Sequence, residues 1–426
     1  MSERDALSAL IGVDWADQHH DVALQETGTT RIERLRLPHT PEAIAEWLRD
    51  LRRRFGNRPV GIAVETSRGP LIHALLDYDW VVLYPVNPRS LKRFRETFAP
   101  SGAKDDVPDA DLLRELLVKH RDRLRAWVPD GVETRALRRL VESRRRTVDL
   151  RTKLTQQLTA ALKEYFPQAL GWAGEDLSSA LACDFLLTWP TLKAVQRARR
   201  KTVEAFYTTH NCRRPERIAQ RLEAIQEATP LTHDPAIIET SVFVVQMLAQ
   251  QLTTLRDSLA RFDAEIARRF AVHEDAALFK SLPGSGAALA PRLLAVFGTD
   301  RTRFRQAADV QQYSGIAPVL QRSGHSSIVH RRWAAPTFVR QTFHEFALQS
   351  IRWSAWARAY YALQRSRGKG AHAAVRALAF KWIRIIWRCW QERTPYDEAR
   401  YTRALLQHTT PLTSRLALHV APTTTS

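Results

Sequence analysis

Two acidic residues stand at the ends of short apolar runs near the start of the chain. Asp14 ends the run Ile11-Gly-Val-Asp14, and Glu65 ends Val60-Gly-Ile-Ala-Val-Glu65 about fifty residues later. Short apolar runs of this kind are typical of buried strands. A carboxylate that ends such a strand can enter a cleft at the edge of the sheet, and here the arrangement occurs twice.

A denser acidic cluster follows at a predicted helix start. The segment Lys104-Asp-Asp-Val-Pro-Asp109-Ala places Pro108 in the first turn, as at many helix N-termini. Asp106 and Asp109 are three residues apart and would share one face of that helix. Asp105 is a rival to Asp106, and we expect Asp111 to be a surface residue.

Oxygen ligands drawn from two strands and a helix suit Mg²⁺. Two such ions about 4 Å apart can stabilise both the attacking and the leaving oxygen at a phosphate. The four carboxylates therefore predict a magnesium site, with two ions, for the cleavage of phosphodiesters. Taken singly, each residue has an ordinary alternative as a turn residue or a helix cap.

A further candidate for chemistry is Ser323, which lies in a segment rich in Ser, Gly, His and Arg from Tyr313 to Arg332. A hydroxyl near bound Mg²⁺ can replace water as the nucleophile and keep the cut strand as a phosphoserine ester. Serine is also common in ordinary loops, so the residues alone leave this role open. Ser326 and Ser327 are weaker candidates, and three histidines are interpreted as loop or core residues: His325, His330 and His344.

Residues that could contact nucleic acid lie on both sides of this serine. Leu282-Pro-Gly-Ser-Gly286 predicts a helix-hairpin-helix turn whose backbone N–H groups, around Gly284 and Gly286, can face a phosphate. A plain interhelical turn is the alternative.

Candidates for phosphate contacts are Arg322, Arg331, Arg332 and Arg340. The aromatic residues interleaved with basic ones are more typical of a helical core: Phe338, Phe343, Phe346, Trp382 and Trp387.

The elements that must hold these residues form an α/β region followed by long helices. Residues 8–125 alternate short apolar runs with amphipathic stretches. Thr134 to Phe166 has no Gly or Pro and predicts one long basic helix. From Val245 to Ile266 the apolar residues recur at steps of three and four, which predicts a coiled-coil seam. Its partner is either the 134–166 helix or another subunit.

We therefore predict a fold of the α/β plus all-α class with four parts. Residues 1–125 form the metal-binding domain, and 126–275 form a helical, coiled-coil region with an insert of short helices near 167–240. Residues 276–400 form a mostly helical C-terminal domain with the serine loop, and 401–426 form a tail, frayed from Thr409 onward.

Composition narrows the class of partner. The formal net charge is +19, and residues 1–125 hold 20 basic and 20 acidic residues, so the whole excess lies beyond residue 125. Such a basic region favours nucleic acid as the partner. Three widely spaced cysteines favour a reducing compartment over a disulfide framework. With neither a signal-peptide pattern nor an apolar run long enough for a membrane span, we expect a cytoplasmic, nucleoid-associated protein.

The motifs IGVD, AVETS and KDDVPDA, in this order, resemble the RuvC-like DEDD domain of the insertion-sequence one-ten transposases. The string Ser-Gly-Ile-Ala-Pro, followed by Ser323-Gly324 and a basic stretch to Arg332, is similar to the Tnp domain of the same family. The resemblance covers about residues 8 to 400. It implies an RNase H fold, selects Asp106 and Asp109 as the last pair of Mg²⁺ ligands, and assigns the attack on DNA to Ser323.

By the same resemblance, the protein would be a transposase that cuts and rejoins donor and target DNA. Members of the family are guided by a structured non-coding bridge RNA, and they act as dimers that pair into tetramers. Two alternatives stay open: a RuvC-like Holliday-junction nuclease in which water attacks, and a non-catalytic nucleic-acid scaffold with a degenerate RNase H fold. Four intact carboxylates argue against the scaffold, and the serine segment argues against the simple nuclease.

Overall fold

The computed structural model describes residues 7–65, 69–98, 108–323, 326–330, 332, 335–408 and 410–420. The chain divides into two compact units, Met1–Pro129 and Asp130–Ser426. None of the helices described combines the length and the apolar character that a membrane span needs.

The first unit is built on a five-stranded sheet with the strand order β3-β2-β1-β4-β5. The strands are β1 (Ala9–Asp14), β2 (His19–Glu26), β3 (Ile32–Pro38), β4 (Val60–Val64) and β5 (Val81–Pro85). β2 is antiparallel to both β1 and β3, whereas β4 is parallel to both β1 and β5. Three antiparallel strands followed by two parallel ones form an RNase H-like sheet, which confirms the predicted α/β class.

Helices cover both faces of this sheet: α1 (Pro41–Phe55), α2 (Pro70–Leu75), α3 (Pro88–Phe98) and α4 (Asp109–His120), with a 3-10 turn at Arg121–Arg123. α1 begins after Thr40, whose hydroxyl accepts a hydrogen bond from the Ala43 N–H at 3.2 Å. One core lies against α1 and a second lies against α4. All five residues of β4 are buried, as expected for a central strand covered on both faces.

Two long helices, α5 (Val132–Tyr165) and α11 (Pro235–Ala271), pack along each other in the second unit. The predicted seam of α11 is buried there, and Leu248 and Leu252 share a core with Leu158 and Leu162 of α5. The seam therefore meets the 134–166 helix of the same chain, which is one of the two partners that the sequence left open.

Between these two helices the chain forms five short helices: α6 (Ala169–Trp172), α7 (Ala180–Thr188), α8 (Leu192–Arg197), α9 (Arg200–Thr209) and α10 (Pro215–Glu227). They correspond to the short helices expected near residues 167–240. Phe185, Trp189 and Tyr207 fill the core that these helices share with the C-terminal part of α5 and the N-terminal half of α11.

The remaining chain is mostly helical around one large core. Its elements are α12 (Ala276–Lys280), α13 (Gly286–Phe297), α14 (Ala307–Tyr313), β6 (Val319–Ser323), β7 (Ser326–His330), α15 (Thr337–Trp353), α16 (Ala355–Ser366), α17 (Ala371–Glu392), α18 (Glu398–Leu406) and α19 (Pro411–Val420). Phe343, Phe346 and Trp382 are fully buried. Phe338 and Trp387 are partly buried against the same core, so the core interpretation of these aromatic residues is confirmed.

The prediction of a frayed tail from Thr409 is wrong for the segment that forms α19. This helix packs against α16, with Leu412 and Leu416 buried in the C-terminal core. The threonines stabilise its start instead of interrupting it, because Thr413 Oγ1 donates a hydrogen bond to the His408 carbonyl at 2.9 Å. Thr409 and residues 421–426 lie outside the described residues.

Candidate active site

Asp14 and Glu65 come together at one edge of the sheet in the first unit. β1 and β4 are parallel with Val13 in register with Val64, so the residues that follow leave the sheet at the same edge. Burial raises the pKa of the Glu65 carboxyl above its usual range, the negative charge of Asp14 raises this pKa further, and the positive charge of Arg95 lowers it. The two carboxylates therefore repel each other at a site only partly open to water.

Asp109 reaches the same site from the first residue of α4. Arg95, on α3, forms an ion pair with Asp109, and both side chains are about a fifth exposed, at 24% and 18%. The Nε atom of Arg95 is buried and has no hydrogen-bond partner among the described residues. One guanidinium group thus balances Asp109 and also acts on Glu65. The sequence reasoning missed Arg95, which lies within a run of exposed basic residues.

The close approach of α4 to β1 depends on Gly12. A Cβ atom at this position would lie 1.9 Å from the carbonyl oxygen of Ala110 and 2.4 Å from the backbone nitrogen of Arg114. Only glycine permits this contact, and Ala110 directly follows Asp109. Gly12 therefore sets the position of Asp109 against the strand that ends in Asp14. A glycine inside a strand pattern is the sequence signal that could have revealed this contact.

The fourth predicted ligand, Asp106, and its rival Asp105 lie outside the described residues. Within the described ranges, no group of three or more His, Cys, Asp or Glu side chains is arranged so that it could hold a metal ion. The structure thus brings Asp14 next to Glu65 and joins Asp109 to them through Arg95. The complete ligand set stays a prediction, and its all-oxygen donors are of the kind that a hard cation prefers.

Asp111 is buried, so the expectation of a surface residue is wrong. Its side chain is 7% exposed and accepts two hydrogen bonds from Arg34, from Nε and Nη2, each at 3.0 Å. Arg114 of the same helix is 3.9 Å away. This bidentate ion pair ties α4 to β3, and its partner lies 77 residues earlier in the chain, where local sequence patterns cannot reveal it.

Ser323 is the last residue of β6, which pairs antiparallel with β7 in a two-stranded sheet. The predicted serine loop is therefore a β-hairpin. Leu320 and Ile328 on its strands are 50% and 60% exposed. The side chains of Arg322 and Ser323, and the residues Gly324 and His325, lie outside what the structure describes.

The turn that precedes the hairpin is anchored to the helical core. The buried hydroxyl of Ser314 donates a hydrogen bond to the Gln311 carbonyl at 3.1 Å, and the Ala317 N–H donates to the same carbonyl at 2.9 Å. Gly315 has a φ of 69°, and a Cβ atom there would lie 2.4 Å from the Cβ of Ala335. The Ser-Gly-Ile-Ala string thus builds the base of the hairpin.

The two glycines of the predicted helix-hairpin-helix turn have different surroundings. A Cβ atom on Gly284 would lie 2.8 Å from the Trp353 ring and 3.1 Å from the Gln349 backbone. This close contact with α15 gives Gly284 a packing role. Such a role is what the alternative interpretation, a plain interhelical turn, predicts. Nothing lies within 4 Å of a Cβ atom built on Gly286, so this side of the turn is open.

The arginines predicted to contact phosphates also differ in their surroundings. Arg332 is partly buried, and its Nε has no hydrogen-bond partner among the described residues. Arg340 lines a cleft on α15. Arg331 lies outside the described residues.

Two family models match the chain. The model for the DEDD transposase domain of IS110 elements, described as "Transposase", matches residues 11–167. A second model, described as "Transposase IS116/IS110/IS902 family", matches residues 276–362. The first match includes Asp14, Glu65 and Asp109, and the second includes the hairpin that carries Ser323.

Proteins of insertion elements are similar to the chain over nearly its full length. A candidate transposase for the IS117 mini-circle of Streptomyces coelicolor is 28% identical over 95% of this chain and 99% of its own. An uncharacterized 42 kDa protein of insertion element IS900 from Mycobacterium paratuberculosis is 27% identical over 92% of this chain and 98% of its own. An uncharacterized 43.6 kDa protein of insertion element IS110 from Streptomyces coelicolor is 25% identical over 93% and 97%.

An RNase H-like sheet with carboxylates at its strand ends, followed by a second matched transposase region, defines a DNA transposase of the DEDD type. A domain of this type indicates a requirement for a divalent metal ion. The chain belongs to the IS110 family of transposases.

Proposed function

We propose that the protein moves an insertion sequence by cutting and rejoining DNA strands, with a magnesium site in the first unit and Ser323 as the nucleophile. The observation that carries the proposal is the juxtaposition of Asp14 and Glu65, where the pKa of Glu65 is raised by burial and by its neighbour. Two like charges held together at a partly buried site are unfavourable unless a cation balances them. The fold maintains this arrangement through the parallel pairing of β1 and β4.

Asp14, Glu65, Asp106 and Asp109 would hold the metal, and their all-oxygen donor set fits Mg²⁺. When bound, Mg²⁺ would neutralise the charge that develops on the phosphate oxygens during cleavage. The protein itself supplies the positions of the ligands: two strand ends fix Asp14 and Glu65, and the contact at Gly12 fixes Asp109.

Ser323 distinguishes a recombinase from a nuclease. In the proposed step, its Oγ forms a bond to phosphorus, the bond from phosphorus to one sugar oxygen breaks, and the serine proton ends on that sugar oxygen. The phosphoserine ester keeps the energy of the phosphodiester, so a hydroxyl on another strand can reverse the step and join the ends. A nuclease that uses water would release the ends instead.

The partners follow from charge and from family resemblance. The whole +19 excess lies beyond residue 125, which supports binding of donor and target DNA and of a structured guide RNA by the second unit. We propose that this bridge RNA selects the DNA, at the nucleoid in the cytoplasm. We also propose that two or four copies act together, because each duplex presents two strands to cut.

Denaturing gels test the covalent step. Labelled DNA is incubated with protein, Mg²⁺ and RNA transcribed from the DNA that flanks the gene. We expect label that migrates with wild-type protein and is released by protease, and we expect none with Ser323→Ala. Ser326→Ala and Ser327→Ala serve as matched controls that keep the adduct. Free cut ends without an adduct, formed equally well by Ser323→Ala, would support the junction nuclease, and absence of any cleavage would support the scaffold.

A further inference from the structure

The second unit contains a cleft beside the base of the serine hairpin. Its cavity of about 290 Å³ is small for a ligand pocket and suits a small group more than a whole cofactor. Two helices and the turn before β6 line it: Arg340, His344 and Glu345 from α15, His372 and Arg376 from α17, and Gly315–Ile316 from the turn.

The charge of the cleft is positive because its acid is already paired. One carboxylate oxygen of Glu345 accepts a hydrogen bond from Arg145 at 2.9 Å, and the other accepts one from Arg292 at 2.5 Å. Arg292 is buried, and its Nη2 has no partner among the described residues. Arg376 forms no ion pair with a carboxylate in the part of the chain that is described. Arg340 and Arg376 therefore line the cleft beside a single carboxylate, Glu345, which already accepts hydrogen bonds from two other arginines.

Two histidines and a helix terminus add hydrogen-bond donors. The rings of His344 and His372 lie 5.6 Å apart. Burial is the largest cause that lowers the pKa of His344 below its usual range, and the nearby His372 and Arg376 lower it further. His372 lies in the first turn of α17, which starts after Gly370 without a side-chain cap. The positive end of a 22-residue helix thus lies at the cleft.

The position of the cleft links it to the nucleophile. Gly315 and Ile316 line it, and β6 begins three residues after Ile316 and ends at Ser323. A fully extended chain over these seven residues spans at most about 24 Å. A group bound in the cleft therefore lies within a few nucleotides' reach of Ser323.

We propose that this cleft binds a backbone phosphate of the DNA strand that Ser323 attacks, a few nucleotides from the phosphate that is cut. Arginine forks match phosphate oxygens, and the uncapped helix start supplies N–H donors. The cleft would hold the strand in register with the hairpin while the hairpin presents the serine. This inference rests on the proposed strand-joining function.

The test is salt-dependent binding of a labelled single-stranded DNA oligonucleotide to the full chain. Arg340→Ala and Arg376→Ala should each flatten the slope of log K against log salt by about 0.7, and weaken binding about five-fold at 0.1 M salt. Arg376→Lys keeps the charge and should retain the wild-type slope. Arg388→Ala is the matched control, because Arg388 is an exposed arginine on the same helix that pairs only with Glu392 among the described residues. Circular dichroism checks that each variant is folded.

Inorganic phosphate and an RNA of the same sequence are the comparison probes. Unchanged DNA slopes in both alanine variants would overturn the proposal. It is also overturned if Arg376→Ala weakens the binding of inorganic phosphate and leaves the binding of DNA unchanged, or if the slope changes with the RNA and not with the DNA.

The adduct assay separates failure of this inference from failure of the proposed function. At saturating DNA, the control Arg388→Ala should form as much covalent adduct as wild type, whereas Ser323→Ala should form none and keep the wild-type salt slope. If wild type forms no adduct, the strand-joining function fails, while the binding slopes still report whether the cleft holds a DNA phosphate.

Discussion

The carboxylate site and the serine hairpin are held in opposite ways. Asp14 and Glu65 follow strands packed between two cores, and Gly12 brings the backbone of α4 against β1. Ser323 ends a strand in a sheet of only two strands, a structure that is marginally stable alone. Leu320 and Ile328 of that hairpin are at least half exposed. The comparison teaches that the fold preorganises the proposed metal ligands, while the proposed nucleophile lies on a hairpin with two largely exposed apolar side chains.

Gly12→Ala should have the largest effect on the fold. Its Cβ would lie 1.9 Å from the Ala110 carbonyl oxygen, so α4 must shift, and we expect the free energy of unfolding to fall by about 3 kcal/mol. Cleavage should be lost as well. Gly61→Ala on the neighbouring strand is the matched control, because its Cβ meets the end of the Leu7 side chain at 2.6 Å, which can turn aside. Equal losses for the two variants in denaturant unfolding would contradict the role given to Gly12.

Asp14→Asn should abolish cleavage without destabilising the metal-free protein. The substitution removes a charge that raises the pKa of Glu65, so it relieves repulsion when no cation is bound. We expect a melting temperature in EDTA at or above that of wild type. Asp17→Asn, at an exposed position three residues later, should change neither property. A clear fall in the melting temperature of Asp14→Asn would show that this carboxylate serves the fold.

The raised pKa of Glu65 predicts a pH dependence of opposite sign for stability and for metal binding. The folded chain holds this proton more tightly than the unfolded chain does. The contribution of Glu65 to the free energy of unfolding should therefore fall as pH rises from its usual value of 4.5 to the raised value. Over the same window the affinity for Mg²⁺ should rise, since the metal binds the carboxylate form. Calorimetric titrations at several pH values measure this, and Glu65→Gln should remove the dependence.

Substitutions on the hairpin should have the smallest effect on the fold. For Ser323→Ala we expect a change of no more than about 0.5 kcal/mol in the free energy of unfolding, with complete loss of the covalent adduct. Leu320→Ser, at an exposed position on the same strand, should be equally mild. A loss of several kcal/mol in either variant would show that the hairpin is packed as firmly as the carboxylate site.

Local sequence patterns predicted the apolar strands of the first unit and missed its exposed edge strand. β1 and β4 stand out because they are buried and apolar, and the acidic residues at their ends follow directly. β3 was missed, since the sequence Ile-Glu-Arg-Leu-Arg-Leu-Pro is that of a mostly exposed edge strand. Its Arg34 pairs with Asp111, a contact that depends on how distant elements pack.

Features that depend on close backbone approach were equally hard to predict. Gly12 lies within the motif that pointed to Asp14, yet its role appears only when α4 is seen to cross β1. The sequence of the serine hairpin is typical of a loop because Ser, Gly and His dominate it. Among the described residues, its two strands pair only with each other. Arg95 lacks any signal that separates it from the other basic residues of α3.

The α5–α11 pair has a mechanical consequence. Leu137 and Val141 of α5 belong to the C-terminal core, whereas Leu154 and Leu158 belong to the core of the short helices. Between Val141 and Leu154, a rise of about 20 Å, α5 adds no residue to either core. The pair thus separates the two cores. The number of residues deleted from both helices would set the distance between the cores and the rotation of one core relative to the other. Removing seven residues from each helix would draw the short helices nearer by about 10 Å and turn them by only about 20°, whereas removing four would shift them by about 6 Å and turn them by about 40°.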